Sequence, residues 1–183
     1  MKHIAFRAVC LIFVVYFLVS ASGCSSAGKN ETASAQGPAG ANWKRYRYAA
    51  DKFSVEFPGE PQAKPNDNNT GTRYFTSLEN DNFAYFVERA QLPADLDKTP
   101  EQIFEGYVNG AAGGTNSQVK NQRPISMCGD PGREFVLENE KMIMRFRLYL
   151  LDKTIYQVLV VATKSMASRA ETDRFFNSFE LLK

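Results

Sequence analysis

Histidine and cysteine are scarce in this chain. Its 183 residues include one histidine, His3, and three cysteines. His3 and Cys10 lie in an N-terminal segment with the character of a targeting signal, and Cys24 follows that segment directly. Once the segment is removed and Cys24 is modified, the mature protein has no imidazole and one free thiol, Cys128. We therefore expect no intramolecular disulfide.

This shortage excludes several chemistries. Ser-His-Asp and Cys-His catalysis both need an imidazole to carry a proton. Zinc sites are built from histidine and cysteine, and haem is usually held by histidine. The sequence also has no D-x-[DN]-x-[DN]-G calcium loop and no G-x-x-x-x-G-K-[ST] phosphate loop. We therefore predict no metal and no cofactor.

An excess of charge is also missing from the mature chain. The net charge of +2 comes from 22 basic and 20 acidic residues, and Lys2 and Arg7 belong to the targeting segment. A neutral remainder argues against nucleic acid as a partner, because such binding needs a basic patch. Paired carboxylates could still catalyse hydrolysis, but Glu134 and Glu138 are about 13 Å apart along one predicted strand, too far for a glycosidase pair. We assign no catalytic residue and predict that the protein is not an enzyme.

The longest uncharged apolar run covers only residues 8–19, whereas a membrane-spanning helix needs about 20 residues. Basic residues before this run and small residues after it are typical of a secretion signal. Residues 21–24, Ala-Ser-Gly-Cys, resemble a bacterial lipobox, in which the cysteine is lipidated and becomes the first mature residue. We predict a lipoprotein signal peptide over residues 1–23 and a lipid on Cys24. Secretion, or anchoring by an uncleaved N-terminal helix, is the alternative.

Residues 24–42 comprise the lipidated cysteine and a tract of small and polar residues without aromatics, which we interpret as a flexible tether. The residue after the cysteine is Ser25 rather than Asp, and the resemblance to bacterial lipoproteins then implies the outer membrane and a domain facing the periplasm. Residues 43–183 then form a single globular domain. This organisation predicts a location in the bacterial cell envelope.

Strand signals dominate the domain. They fall at residues 52–57, 72–78, 83–91, 118–127, 133–138, 141–151 and 154–163. Thr99, Pro100 and Gln102 form a capping box with a first-turn proline, which predicts a helix that ends within residues 110–114. A second helix is predicted over residues 168–177. The pattern indicates an α+β fold with an antiparallel sheet of about six to seven strands flanked by helices.

Four stretches resemble the PsbP-like domain in their order and spacing. They are F-S-V-E-F-P at residues 53–58, G-D-P-G-R-E-F at 129–135, T-I-Y-Q-V-L-V-V at 154–161 and F-F-N-S-F-E-L at 175–181. The resemblance implies an α/β/α sandwich, also seen in the Mog family, and a non-catalytic accessory role. Metal contacts in PsbP have been assigned to histidines, so that role does not carry over to this chain.

Two basic pairs are candidate partner surfaces. Arg45 and Arg47 lie in an aromatic run that rests on an anionic surface or forms the first strand, and both interpretations hold together if the two arginines point outward. Arg145 and Arg147 share the polar face of a predicted strand whose other face is apolar. This face either binds an anion or an acidic partner, or is a structural face that meets solvent or is covered, with the arginine stems lying on apolar surface. Cys128 is expected to be a buried or half-buried structural thiol before a turn at residues 129–132.

We therefore expect a lipoprotein, anchored to the membrane by the lipid on Cys24, that acts as a non-catalytic accessory or binding module in the cell envelope. Its partner would be an envelope protein or polymer. The alternative is a lipoprotein that binds a small ligand or an anion through Arg145 and Arg147. The glycines at 110, 113 and 114 follow a predicted helix, so we interpret them as a C-cap and exit loop rather than a phosphate loop.

Replacement of Cys24 tests the anchor. Cys24→Ala should remove the lipid from the intact mass and move the protein from the detergent phase to the aqueous phase, because the acyl chains supply the membrane affinity. Cys128→Ala is the control and should change neither property beyond its own mass. Unchanged mass and partitioning of Cys24→Ala would show that Cys24 is not lipidated.

Overall fold

A computed structural model describes residues 43–67, 69–78, 83–164 and 170–182. The predicted signal peptide, the lipobox with Cys24 and the tether lie outside these residues. Within the described ranges no helix has the length and apolar character needed to cross a bilayer.

The chain forms ten strands and two helices among the described residues. The strands are β1 (Lys44–Tyr48), β2 (Phe53–Phe57), β3 (Gln62–Pro65), β4 (Gly71–Leu78), β5 (Phe83–Gln91), β6 (Gln118–Met127), β7 (Asp130–Glu138), β8 (Met142–Leu151), β9 (Thr154–Thr163) and β10 (Glu180–Leu181). The helices are α1 (Pro100–Gly114) and α2 (Ala170–Ser178).

The main sheet has seven strands in the order β3-β4-β5-β9-β8-β7-β6, and all its pairs are antiparallel. A second sheet has the order β1-β2-β10. The α+β prediction with six to seven strands in one sheet is therefore confirmed. The short strands β3 and β10 were not predicted, since neither carries enough alternating apolar residues to be recognised.

Each face of the main sheet packs against its own layer. On one face, the small sheet and α2 bury a cluster that includes Phe53, Phe57 and Phe175, each fully buried. On the other face, α1 inserts Phe104 and Val108 over β7, β8 and β9. Burial of each large apolar side chain contributes about 1.5–3 kcal/mol. The two layers give the α/β/α sandwich that the resemblance implied.

Helix α1 begins as predicted. The Thr99 hydroxyl accepts from the Gln102 amide at 3.3 Å, and the Gln102 side chain accepts from the Thr99 amide at 3.0 Å. The expectation of an exit loop at the glycines is wrong, because the helix continues through them to Gly114 and is capped by Thr115. Asn116 has φ of +48° and takes the left-handed position that usually favours glycine.

In the hairpin between β6 and β7, the predictions for the turn residues and for the burial of Cys128 are both wrong. Its turn is the pair Cys128–Gly129, with φ of +54° and +92°, and not residues 129–132. Both residues have the positive φ of a two-residue hairpin turn. Cys128 is exposed rather than buried, because a residue at the tip of such a turn projects away from the sheet.

Gly132 then lies inside β7. A Cβ atom there would lie 2.5 Å from the Leu148 carbonyl oxygen and 2.9 Å from Cδ1 of Tyr149. The close approach of β7 and β8 therefore requires glycine at this position.

Alanine substitutions should distinguish the tightly packed Gly132 in β7 from the exposed Gly113 in α1. Gly132→Ala should lower the free energy of unfolding by about 1–3 kcal/mol, as in overpacked cores. Gly113→Ala should raise it by about 0.5–1 kcal/mol, because an added methyl group on α1 meets nothing within 4 Å and alanine favours the helix. Denaturant unfolding of the full chain measures both. A stabilising Gly132→Ala would contradict the tight strand packing.

Candidate functional site

Arg145 and Arg147 lie beneath α2. The Arg147 Nε donates to Glu134 Oε2 at 2.6 Å, and its guanidinium also donates to Asn177 Oδ1 at 3.3 Å. Arg145 donates to Asp173 Oδ1 at 3.1 Å. Both guanidinium groups also lie over the Phe176 ring, at 5.3 Å for Arg145 and 5.0 Å for Arg147.

Among the interpretations of this face, these contacts match the covered one, in which the arginine side chains lie on apolar surface. Helix α2 covers the face, and the Arg147 side chain is only 19% exposed. Its positive charge is matched by Glu134, which also accepts from Arg123 at 2.8 Å. A polar groove of about 490 Å³ beside this cluster is lined by Arg123, Glu134 and Arg145, whose charges are already paired. The geometry therefore favours a structural role for Arg145 and Arg147.

Glu134 is the acidic centre of this cluster. Burial acts to raise its pKa, but the hydrogen bonds from Arg147 and Arg123 outweigh burial and hold the pKa of Glu134 below its usual value. The carboxylate is therefore ionised at neutral pH and links β6, β7 and β8.

The other predicted basic pair lies on β1. Tyr46 and Tyr48 point inward against Phe57 and Phe53, with ring centroids 6.1 and 4.8 Å apart, so the strand interpretation is confirmed. Arg45 lies 3.6 Å from Glu56 and 3.1 Å from Glu180, and its guanidinium therefore joins the strands of the small sheet. Arg47 is exposed and has no ion pair within the described ranges.

A buried ion pair beneath α1 was not anticipated. Arg73 on β4 donates to Glu88 on β5 at 2.8 Å, and the Glu88 side chain is 1% exposed. Asn66 also donates to Glu88, at 3.3 Å. The Tyr107 hydroxyl is buried nearby without a hydrogen-bond partner among the described residues. Its pKa is raised above the ordinary value by burial and then by the negative charge of Glu88.

Beyond this ion pair, the C-terminal end of α1 covers an apolar cavity of about 290 Å³. The cavity is lined by Ala111, Gly114, Thr115, Asn116, Asn139, Met142, Met144, Phe146, Leu159 and Val161. Alternate side chains of β8 and β9 form its floor, and the last turn of α1 forms its roof.

The cavity follows from the sequence of α1. The first half of the helix fills the space above the sheet with Phe104 and Val108, which are 1% and 3% exposed. The second half, residues 110–114, reads Gly-Ala-Ala-Gly-Gly and carries almost no side-chain volume. The same sheet spacing that suits phenylalanine therefore leaves a void over Met144 and Leu159.

A polar basin adjoins the cavity. It measures about 400 Å³, and Asn116 and Asn139 line both spaces. Lys120, Lys164, Glu138 and Glu140 give the basin two charges of each sign. Lys164 lies 2.8 Å from Glu138, and this hydrogen bond lowers the pKa of Glu138.

The cavity is lined mainly by apolar side chains. Its lining has no carboxylate, amine or thiol. No group of three or more histidine, cysteine or acidic side chains that could hold a metal occurs in the part of the chain that the structure describes. The sequence signal that could have located the site is the glycine-alanine run in α1 opposite the alternating methionines of β8.

Neutralisation of Glu134 tests the arginine cluster. At pH 7, Glu134→Gln should lower the free energy of unfolding by about 1.5–3 kcal/mol, because a charged hydrogen-bond acceptor is lost. The folded-state pKa of Glu134 is lowered, so its stabilisation is complete above the ordinary value of 4.5 and is lost as the pH falls through the folded-state pKa. The gap between wild type and variant should therefore shrink in acid.

Urea unfolding between pH 7 and pH 3 measures this gap. Glu140→Gln is the control, since Glu140 is exposed. Equal losses in the two variants, or a gap that widens in acid, would contradict the role of Glu134.

Comparisons with known proteins identify the fold. Neither the protein-family comparison nor the search of curated proteins finds a match. Among solved structures, the solution structure of cyanobacterial PsbP from Synechocystis sp. PCC 6803 superposes with a TM-score of 0.59 at 10% identity, covering 87% of this chain and 98% of that one. PA94, a Pseudomonas aeruginosa protein of unknown function, gives a TM-score of 0.42 at 8% identity, covering 72% and 90%. The similarity to cyanobacterial PsbP, over nearly all of its length, shows that this chain has a PsbP-like fold.

Proposed function

We propose that this protein is a non-catalytic binding module of the bacterial cell envelope, held at the membrane by a lipid on Cys24. The lipobox-like residues 21–24 and the short apolar run before them support the anchor. The tether of residues 24–42 would let the domain reach a ligand or partner near the membrane surface.

The cavity at the end of α1 carries the binding part of the proposal. The cavity is already present in the structure, as small-molecule sites usually are. Its lining is apolar except for Thr115, Asn116 and Asn139, and this combination is typical of such sites. Its volume of about 290 Å³ is close to the lower end of the range for such sites, about 300–1,000 Å³. The site of a bound small molecule would therefore lie beneath α1 and not at Arg145 and Arg147.

The pairing of acidic groups supports a role without catalysis. Glu88, Glu134 and Asp173 each accept a hydrogen bond from an arginine that joins two elements of the fold. A general acid or base needs a carboxyl group that is free to exchange its proton with substrate. Glu88 and Glu134 instead join neighbouring strands of the main sheet, and Asp173 joins α2 to β8.

An envelope partner could also contact β1. Lys44 and Arg47 are exposed and lie close to the residue where the tether ends. An acidic protein or an anionic polymer would be attracted to them, although such contacts weaken as salt is added.

Filling the cavity tests the binding function. Each variant would be expressed in the protein's own cells and isolated in detergent-free lipid discs. The small molecules bound to it would then be extracted and compared with those of the wild-type protein. Ala111→Leu should deplete at least one compound by about tenfold or more, because a leucine side chain would occupy the site. The compound should be recovered chemically unchanged from the wild-type protein.

Gly113→Leu is the matched control, because position 113 lies on the same helix and faces open space. It should retain the compound. Identical extracts from wild type and Ala111→Leu, or conversion of the bound compound by wild-type protein, would contradict the proposal.

A further inference from the structure

We infer that the α1 cavity holds the alkyl chain of a single-chain amphiphile whose polar head, without net charge, lies in the adjoining basin. This inference deepens the proposed binding function and rests on it. The observation behind it is that an apolar chamber and a polar basin share Asn116 and Asn139 in their linings, at the end of α1.

The size of the chamber suits one chain. A dry protein cavity of roughly 150 Å³ holds a six-carbon ring, so about 290 Å³ has room for roughly eight to twelve carbons. Two chains, or a sterol-sized ring system, would need more room than the helix leaves above the sheet. An unbranched chain is also slender enough to lie along the groove between α1 and strands β8 and β9.

The lining is adaptable as well as apolar. Met142 and Met144 contribute unbranched, polarisable side chains that adjust to the contour of a ligand. Phe146, Leu159 and Val161 supply a firmer floor on the central strands, where Phe146 and Leu159 are 2% and 1% exposed. A chain inside the chamber would meet carbon and sulfur atoms along its length.

The boundary between the chambers is held by hydrogen bonds. Asn139 donates through Nδ2 to the Thr115 carbonyl at 3.1 Å, and its Oδ1 accepts from the amides of Lys141 and Met142 at 3.0 and 2.9 Å. These bonds tie the end of α1 to the turn between β7 and β8. Asn139 is therefore a positioning residue that fixes the width of the opening.

The basin selects a head group without net charge. Its two lysines and two glutamates balance, and Lys164 is already paired with Glu138 at 2.8 Å. Lys120 donates to the neutral Gln118 at 3.0 Å. The formal charges of the basin sum to zero and therefore offer no net attraction to a charged head, whereas hydroxyl groups can donate to and accept from Ser117 and Gln118.

Photocrosslinking can identify both the chain and the head. Membranes that contain the full-length protein would be treated with decyl-chain probes that carry a diazirine near the end of the chain and end in a glycerol ester, a carboxylate or a trimethylammonium group. The glycerol ester should label residues 111–116, 142–146 or 159–161 most strongly. Stronger labelling of these residues by either charged probe would overturn the assignment of the head.

Variants from both walls locate the chain. Ala111→Leu from the helix should reduce labelling by about tenfold, and Val161→Leu from the sheet should also reduce it. Gly113→Leu should label as wild type does, and circular dichroism verifies that each variant is folded. Wild-type labelling in both folded cavity variants would overturn the site.

The alkyl assignment and the binding function fail in different ways. If Ala111→Leu depletes a bound compound while no probe labels the cavity, the binding function stands and the alkyl chain is wrong. If no compound is depleted and no probe labels the cavity, both are wrong.

Discussion

Burial of the central strand β9 on both faces is the constraint on which the rest of the fold depends. Its successive residues Val158, Leu159 and Val160 are 0%, 1% and 2% exposed, although adjacent side chains point to opposite faces. Such a strand is stable in water only when a layer covers each face. Helix α1 supplies one layer, and the small sheet with α2 supplies the other. Loss of either layer would expose β9 and its neighbours β5 and β8.

The two covering layers differ in how completely they fill the space above the main sheet. Beneath α2, Arg145 and Arg147 lie over Phe176 while their charges are matched by Asp173 and Glu134, so polar groups extend the apolar core towards β6. Long arginine stems can cover apolar surface while the guanidinium group stays paired. Beneath α1, Phe104 and Val108 pack on the sheet and Glu101 pairs with Arg133 of β7 at the start of the helix, whereas an apolar space remains at its end. Charge pairs therefore attach both layers, and only the α1 layer leaves this apolar space.

Patterns that repeat within one element were predictable from the sequence, whereas contacts between distant elements were not. Alternation along β8 and the capping box at Thr99 located a strand and a helix start. The covered state of Arg147 depends on Glu134 and Asn177, which are 13 and 30 residues away, and no local pattern indicates that contact. The exposed Cys128 depends on which two residues form the hairpin turn. The cavity likewise depends on the distance between α1 and the sheet, although the small residues that create it are visible in the sequence.

The glycines of α1 lower the stability of the helix. Each glycine within a helix destabilises it by roughly 0.5–1 kcal/mol relative to alanine, yet α1 continues through Gly110, Gly113 and Gly114. At Ala111 and Gly114, which line the cavity, larger side chains would also fill the space over Met144, so packing and propensity alone select against small residues at these two positions. Departures from local preference are expected at functional sites, and this one leaves an apolar space that shares Asn116 and Asn139 with a polar basin. The small residues at positions 111 and 114 are therefore best explained as room left for the chain of the proposed ligand.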